Sequence, residues 1–492
     1  MGYNSSPSNT SRKITVPVYQ TAKDFRASLL KTQSQLPRLF ISPICDARYF
    51  DSPTIHFFQK QTLPELRLVF RSELWEDHTL LAVGQSSPAI LHLMCAIGIY
   101  HRELLTRSSA RCYSRCSDSN DDRAILLALD HHTKAAHLMQ QAVGSISPDI
   151  DSIKLGCILF TILEFARGSR KTITSHLAHG MELFNLTRHS ERLKTYSLAT
   201  DTMLLSMSLL QCLYGRPRKA QFPTLYRLPT HTLSCLEREF KTLAQARAIL
   251  VDIVASILDF VRRMVYSSKR PSEDSFKEQA ALSSRLAQWS TLFQTLLIDL
   301  SDSDRIREAD ALQIHYSVAT IFVASAVTQS ETAFDQHVNV FRSVVDMAEK
   351  ITNDISISQI KPRLFSFDLG LIPILFFTAI KCRHSVIRRK AIALLLRVPL
   401  REGAWNALEA ALVAEQAINW EEGNIVDAQA GGFLDLPDTA RIYDIDLDEY
   451  KDATPTTLKI TFRYKPRPLL LGFEEIVVFV DLSADQDGKF EH

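Results

Sequence analysis

Segment 368–422 limits the possible folds of this chain more than any other stretch of its sequence. Residues 369–380 are apolar on every face of a helix, and Pro373 stands where only a first turn tolerates proline. A helix without a polar face has to be enclosed, so neighbouring elements must build a core around it. Two further stretches with helical spacing follow directly. The segment therefore predicts three helices folded back on one another.

The second of these stretches predicts an amphipathic helix. Ser385 stands where an N-cap residue is expected, and from Ile387 onward apolar residues recur on one side. The basic run 388–390 is expected to face solvent. A turn marked by Gly403 then leads to a third helix over residues 405–421.

Helical spacing recurs along most of the chain. Short turns between successive runs predict helical hairpins as the repeating unit, although no fixed-period sequence repeat occurs. The predicted fold class is all-α, with stacked helical hairpins in one large domain. The further predicted helices cover residues 88–99, 124–143, 153–165, 172–186, 203–214, 243–266, 278–297, 306–328 and 332–351.

The C-terminal end differs in kind from the helical body. Apolar and polar residues alternate between 458 and 464, and residues 476–480 are mostly β-branched, which predicts a short C-terminal β-ribbon. The predicted organisation is a flexible N-terminal segment over 1–38, a helical domain over 39–450, and the β-ribbon and tail over 451–492.

Charge and cysteine content exclude several classes of protein. The 56 basic and 55 acidic residues give a formal net charge of +1, so the chain has no excess positive field to attract nucleic acid. Its eight cysteines are scattered, several within apolar runs, which predicts core thiols in a reducing compartment and no disulfides. No secretory signal and no membrane span is expected.

Three aspartates imitate the start of a calcium-binding loop. Asp444, Asp446 and Asp448 have the right spacing, but Glu449 stands where the loop needs glycine and Pro455 where it needs a bidentate glutamate. A solvent-exposed acidic run is therefore predicted.

Two sets of histidines have spacings compatible with a shared metal ion. His176 and His179 lie one helical turn apart, and His131 or His132 lies near His137. Neither set has a third ligand at a characteristic spacing, so surface or capping histidines are predicted. No phosphate-binding loop, nucleophile elbow, zinc-protease motif or dinucleotide fingerprint occurs. No catalytic, cofactor-binding or metal-binding residue is therefore predicted, and the chain is not expected to be an enzyme.

The remaining candidates are basic or structural. The basic runs 216–219 and 388–390 are compatible with contact to nucleic acid or an import receptor, but short basic runs are usually solvated surfaces. Arg401 or Glu402 is expected to close a turn by hydrogen bonds, and Trp405 is expected to anchor the core.

Three segments match, in order, the helices of a known family. Residues 75–102 (WEDHTLLAVGQSSPAILHLMCAIGIYHR) resemble its opening helices, and residues 132–186 resemble its middle helix pairs. Segment 368–422 resembles its C-terminal part through the apolar helix followed by CRH (382–384), IRRKA (387–391), PLREG (399–403) and Trp405. The family is the fungal-specific transcription factor domain, the regulatory region that accompanies zinc-cluster DNA-binding domains.

The resemblance implies a regulatory domain that restrains or permits transcriptional activation. It implies a role in the nucleus, with the cytoplasm as a second compartment, and control of a metabolic or biosynthetic gene set. The implied partners are other transcription factors or a second copy of the chain through dimerisation, and some members of the family sense a small-molecule effector between helices.

The chain departs from the family in its cysteines. Complete members begin with six closely spaced cysteines that hold two zinc ions, whereas this sequence has no cysteine before Cys45 and no such cluster. Direct sequence-specific DNA binding is therefore not expected, and action through a DNA-bound partner is. Two alternatives stay open. One is a helical scaffold or small-molecule-binding protein that kept the fold; the other is a gene model of a full zinc-cluster factor that starts too late.

Overall fold

Helices account for most of the described chain, which confirms the predicted all-α class with a short C-terminal β element. The predicted segment 1–38 and the basic run 216–219 lie outside the described residues. The computed structural model describes residues 53–66, 70, 72–110, 119–146, 148–167, 170–187, 195–213, 239–265, 270–298, 300–328, 330–357, 365–366, 370–398, 401–403, 405–423, 436–449, 457–465 and 473–481.

The helices follow one another with short connections where the connections are described. None of the described helices is both long and apolar enough to cross a membrane. In chain order they are α1 (Pro53–Phe57), α2 (Leu63–Leu66), α3 (Asp77–Ser86), α4 (Pro88–Ala110), α5 (Ser119–Val143), α6 (Ile150–Arg167), α7 (Arg170–Thr187), α8 (Thr195–Leu213), α9 (Leu243–Val265), α10 (Glu273–Leu297), α11 (Ser303–Ser325), α12 (Val338–Ile357), α13 (Ile372–Lys381), α14 (Ser385–Leu395) and α15 (Ala407–Gly423).

Helix α6 lies at the centre of the N-terminal half, packed against α4, α7 and α8. It is buried without interruption from Ile153 to Phe165, as its all-round apolar pattern predicts. The burial includes Lys154, whose Nζ donates to Asp201 at 2.6 Å, and Glu164, which accepts from Arg167 at 2.6 Å. Each buried charge thus has a partner of opposite sign, as desolvation requires.

Trp289 on α10 lies in the core where α9, α10 and α11 pack together. It is fully buried, and its ring stacks on Phe293 and Tyr316 with centroids 4.5 and 5.5 Å away. Its indole Nε1 donates to the Ala246 carbonyl at 2.8 Å, so the ring is enclosed without losing a hydrogen bond.

Segment 368–422 forms the three predicted helices, α13, α14 and α15, and Pro373 lies in the first turn of α13 as predicted. Two local predictions are wrong. Ser385 is the first residue of α14; the N-cap position belongs to His384, which makes no side-chain capping bond. Trp405 lies in a short strand before α15.

The turn around residue 402 ties this segment together through a small sheet. Strand β1 (Phe365–Ser366) pairs in parallel with β2 (Arg401–Glu402), which pairs antiparallel with β3 (Trp405–Asn406). Glu402 is buried, and its carboxylate accepts from the backbone amides of Leu371 at 3.0 Å and Ile372 at 2.6 Å. Glu402 therefore does form the expected hydrogen bonds, but they cap α13 rather than close its own turn.

Two neighbours show how closely this turn is packed. A Cβ on Gly370 would lie 2.0 Å from the Glu402 carboxyl carbon, so only glycine leaves room for the cap. Trp405 is 2% exposed, packs on Phe376 and donates from Nε1 to the Leu210 carbonyl at 3.0 Å. The prediction that Trp405 anchors the core is confirmed.

The C-terminal sheet has three antiparallel strands in the order β4 (Ile442–Glu449), β5 (Thr457–Tyr464) and β6 (Glu474–Asp481). Strands β5 and β6 confirm the predicted ribbon. Strand β4 was not predicted, because aspartate has a low strand propensity and occupies three of its eight positions. The sheet therefore begins inside the range predicted to be helical.

Replacing Glu402 by Gln tests its capping role. The amide keeps one acceptor but turns a donor toward a backbone N–H, so we expect the free energy of unfolding to fall by about 1–3 kcal/mol. Urea unfolding of the full chain measures this loss. The exposed Glu415→Gln on α15 removes the same charge from a helix surface and should cost much less; equal losses in the two variants would contradict the capping role.

Candidate functional site at the junction of helices and sheet

A group of buried charged residues joins α13, α14 and α15 to the C-terminal sheet, and we call it the charged junction. All its members except Asp335 are no more than 6% exposed. The charged junction consists of Glu331, Asp335, Lys381, Arg383, Arg388, Glu421 and Arg441.

Glu421, near the end of α15, lies at the centre of the charged junction. Its Oε1 accepts from Arg383 Nη2 at 2.6 Å and from the Ile442 backbone amide at 2.9 Å. Its Oε2 accepts from Arg388 Nη2 at 2.7 Å. One carboxylate thus holds the turn between α13 and α14, the body of α14 and the first residue of β4.

The two guanidiniums keep this carboxylate charged. Burial alone would raise the pKa of Glu421, but Arg383, Arg388 and the Ile442 amide together lower it. Burial alone would likewise lower the pKa of Arg383, but Glu421 and Glu331 raise it. Glu421 and Arg383 therefore favour their charged forms, whereas burial lowers the pKa of Arg388 in spite of its contact with Glu421.

Lys381, the last residue of α13, extends the charged junction to the sheet. Its Nζ donates to Glu331 Oε2 at 2.7 Å and to the carbonyls of Ile442 and Tyr443 at 3.2 and 3.0 Å. An ammonium has three donors, and all three have acceptors. The side chain is therefore committed to holding β4 and is not positioned as a nucleophile.

Arg441 completes the connection at the start of β4. It forms a bidentate pair with Asp335 at 2.6 and 2.8 Å and donates to the Leu436 carbonyl at 2.8 Å. Asp335 belongs to the 3₁₀ segment Glu331–His337, which directly precedes α12. The bidentate geometry fixes an angle as well as a distance, so it orients the strand relative to that segment.

The basic run 388–390 differs from its predicted exposure. Arg388 is fully buried, so the prediction that it faces solvent is wrong. Arg389 pairs with Glu422, and Lys390 pairs with Asp346 at 2.9 Å and Glu349 at 2.8 Å. Each basic charge of the run is matched by a carboxylate, which leaves little positive potential for a phosphate backbone.

The predicted acidic run, Asp444, Asp446 and Asp448, forms part of β4, and its first two residues are less exposed than predicted. Asp444 is buried rather than solvent-exposed, and it accepts from Arg463 Nη1 at 3.1 Å. Arg463 reaches Asp446 at 3.3 Å and Glu475 at 2.8 Å, so one guanidinium links all three strands. Within the described ranges, no group of three or more His, Cys, Asp or Glu is arranged to hold a metal ion.

Three of the candidate histidines on α5 and α7, His131, His132 and His176, contact a neighbouring helix. His131 is 4% exposed, and its Nδ1 is 2.8 Å from Nδ1 of His92 on α4. His132 Nε2 lies 3.5 Å from Glu164, and the His176 ring stacks on Phe160 with centroids 5.0 Å apart. The prediction of a surface or capping residue is wrong for His131.

Two other candidates of this set are less enclosed. His137 Nε2 is 3.0 Å from Gln141 Nε2 on the same exposed stretch of α5. His179 is half-buried on α7.

Of the predicted core thiols, Cys95, Cys157 and Cys382 are buried, and burial raises the pKa of Cys157 to about 12.

Comparisons with family models, with curated proteins and with solved structures found no match to this chain in any of the three. The resemblance to the fungal-specific transcription factor domain therefore stays a prediction. The geometry indicates a structural role for the charged junction, which fixes the C-terminal sheet to the helices, because its carboxylates and cations already pair with one another.

Substituting Gln for Glu421 would leave two buried guanidiniums without a carboxylate. We expect the free energy of unfolding to fall by about 3–5 kcal/mol, the cost of breaking a buried ion pair from one side. The exposed Glu415→Gln on the same helix is the matched control, because it removes the same charge from the helix surface and should cost less than about 1 kcal/mol. Urea unfolding measures the free energy of unfolding of both variants. A smaller decrease for Glu421→Gln than for the control would contradict the assignment of Glu421 as the centre of the charged junction.

The buried histidines predict acid sensitivity of a definite sign. Burial lowers the pKa of His131 and of His176 to about 4, whereas an unfolded histidine titrates near 6.5. Between these values only the unfolded state binds the proton. The free energy of unfolding should therefore fall as pH decreases from about 6.5 toward about 4, by up to about 1.4 kcal/mol per pH unit for each histidine.

The variant His131→Gln should reduce this slope. Urea unfolding at a series of pH values measures it, with His56→Gln on the exposed side of α1 as the control for loss of one imidazole. An unchanged slope in His131→Gln would show that His131 is not excluded from protonation in the folded state.

Proposed function

We propose that this chain is a transcriptional regulator of the fungal zinc-cluster type that acts through protein contacts, without a DNA-binding module of its own in these 492 residues. Its proposed location is the nucleus. Its proposed partners are DNA-bound transcription factors or a second copy of the chain, and its proposed targets form a metabolic or biosynthetic gene set.

One observation carries most of the support: the three segments that resemble the family fall on helices that share one core. Residues 75–102 include α3 and most of α4, residues 132–186 include the end of α5 with α6 and α7, and segment 368–422 includes α13, α14 and nearly all of α15. Buried residues from all three belong to a single hydrophobic cluster. The same cluster also includes residues of α9 to α12 and of the C-terminal sheet, so the three segments are parts of one common core.

The ion pairs of run 388–390 and the balanced overall charge support action through proteins rather than DNA. The basic residues of 388–390 are engaged with carboxylates, and the formal net charge is +1. A protein that holds DNA by its phosphates needs several free cations, because affinity grows with each counterion released. Contact with another protein has no such requirement.

A DNA-binding assay with the purified chain tests whether the chain acts through protein contacts and not by binding a DNA sequence itself. We expect weak binding that falls steeply with salt and does not distinguish between sequences. Sequence-specific retention at physiological salt would contradict the proposal.

Deletion of the gene in the source organism tests the regulatory role itself. We expect a defined set of transcripts to change, with reversal on reintroducing the wild-type chain, and we expect a fluorescent fusion to enter the nucleus. Exclusion from the nucleus with an unchanged transcript profile would contradict regulation and favour the scaffold alternative.

A further inference from the structure

Strand β6 forms one edge of the C-terminal sheet. On one side it pairs with β5 along all eight of its residues, with no bulge in the register. On its other side no strand is paired with it within the described part of the chain. Natural sheets usually protect such edges with proline, lysine, a bulge or a covering element. The β6 sequence, EEIVVFVD, contains neither proline nor lysine.

The middle of this edge strand is apolar on both faces. Val477 and Phe479 on the outer face are 45% and 54% exposed, and Phe473, just before the strand, is 41% exposed. On the opposite face, Ile476 and Val478 are partly buried against the core. Five consecutive apolar residues, 476–480, thus line an edge that no described strand covers.

One of the two acidic residues at the start of β6 is already paired with a cation of the same sheet. Glu474 accepts from the Tyr464 hydroxyl at 2.6 Å, and Glu475 accepts from Arg463 Nε at 2.8 Å. A strand that joined this edge would therefore not need a basic residue opposite Glu475. This favours a partner whose own pairing residues are apolar, which β6 itself provides.

The sequence of β6 is self-complementary in one antiparallel register. Directly opposite residues in an antiparallel pair share a face, so a two-fold axis has to place a residue opposite itself. With Val478 on the axis, Ile476 lies opposite Val480 and Val477 opposite Phe479, so every apolar residue of 476–480 meets another one. Glu475 then lies opposite Asp481, and its pairing with Arg463 offsets the repulsion between these two carboxylates. With Val477 on the axis, Phe479 would lie opposite Glu475.

We propose that two copies of this chain associate through antiparallel pairing of their β6 edges, with Val478 on the two-fold axis, to form a continuous six-stranded sheet. The backbone groups of the edge supply the affinity, and the apolar pairs supply the register. The proposal specifies one partner named under the proposed function, a second copy of the chain, but its evidence is the geometry of β6 alone. A chain that stays monomeric would overturn the dimer and leave regulation through DNA-bound factors untouched.

Charge substitutions at two positions test both the dimer and its register. Analytical ultracentrifugation of the full chain over a concentration series should show a monomer–dimer equilibrium. Val477→Lys and Phe479→Glu should each weaken the dimer by about tenfold or more, because each places a charge opposite an apolar residue. Leu186→Lys on α7, at a side chain 73% exposed, is the matched control and should leave the equilibrium unchanged.

Combining the two substitutions in one chain should restore the dimer, because the introduced lysine and the introduced glutamate would then face each other twice across the axis. An equimolar mixture of the two single variants should form a heterodimer for the same reason. In the register with Val477 on the axis, the double variant would place lysine opposite lysine and fail to recover. Restoration therefore supports the Val478 register, and its failure overturns it.

Two results would overturn the dimer itself. One is a wild-type chain that stays monomeric up to its solubility limit; the other is a wild-type dimer that neither single variant weakens. Circular dichroism verifies that the variants are folded. Hydrogen exchange of the wild-type chain decides the matter without any variant, because β6 amides should become more protected as concentration rises, and unchanged protection in a dimeric sample would place the interface elsewhere.

Discussion

The C-terminal sheet is joined to the helices through a cluster of buried charges centred on Glu421. Glu421 accepts from two guanidiniums and from the first amide of β4, so it connects helix to helix and helices to sheet at a single point. Apolar contacts stabilise such a junction in many orientations, whereas charge-assisted hydrogen bonds are short and directional. The cluster therefore selects one arrangement, and the cost of leaving a charge unpaired opposes the others.

The charged junction affects the surface of the molecule at α14 and at β6. Because Glu421 and its neighbours occupy the basic residues of α14, this part of the chain has few free cations for nucleic acid. Because the charged junction holds the sheet by β4, strand β6 is left at the outer edge with its apolar residues accessible. The same interactions thus engage the cations of α14 and leave β6 at the edge of the described sheet.

Pattern and periodicity predict the helices of this chain well, because an all-round apolar stretch such as 369–380 has few other ways to fold. They fail for Arg388, His131 and β4. Arg388 follows His384 by four residues and precedes Ala391 by three, so the helical spacing places it on the buried face of α14. A guanidinium can be buried there only because the carboxylate of Glu421, distant in the sequence, accepts a hydrogen bond from it. Tertiary partners of this kind leave no local signal, and the same holds for the aspartates of β4 that meet Arg463.

Native-state hydrogen exchange of the full chain tests most directly whether the charged junction makes one unit of the C-terminal helices and the sheet. The amides of α13, α14 and β4, including that of Ile442, should exchange with one common free energy and one common denaturant dependence. Exchange of β4 at a much lower free energy than α13 and α14 would show that the sheet opens by itself and would contradict this account.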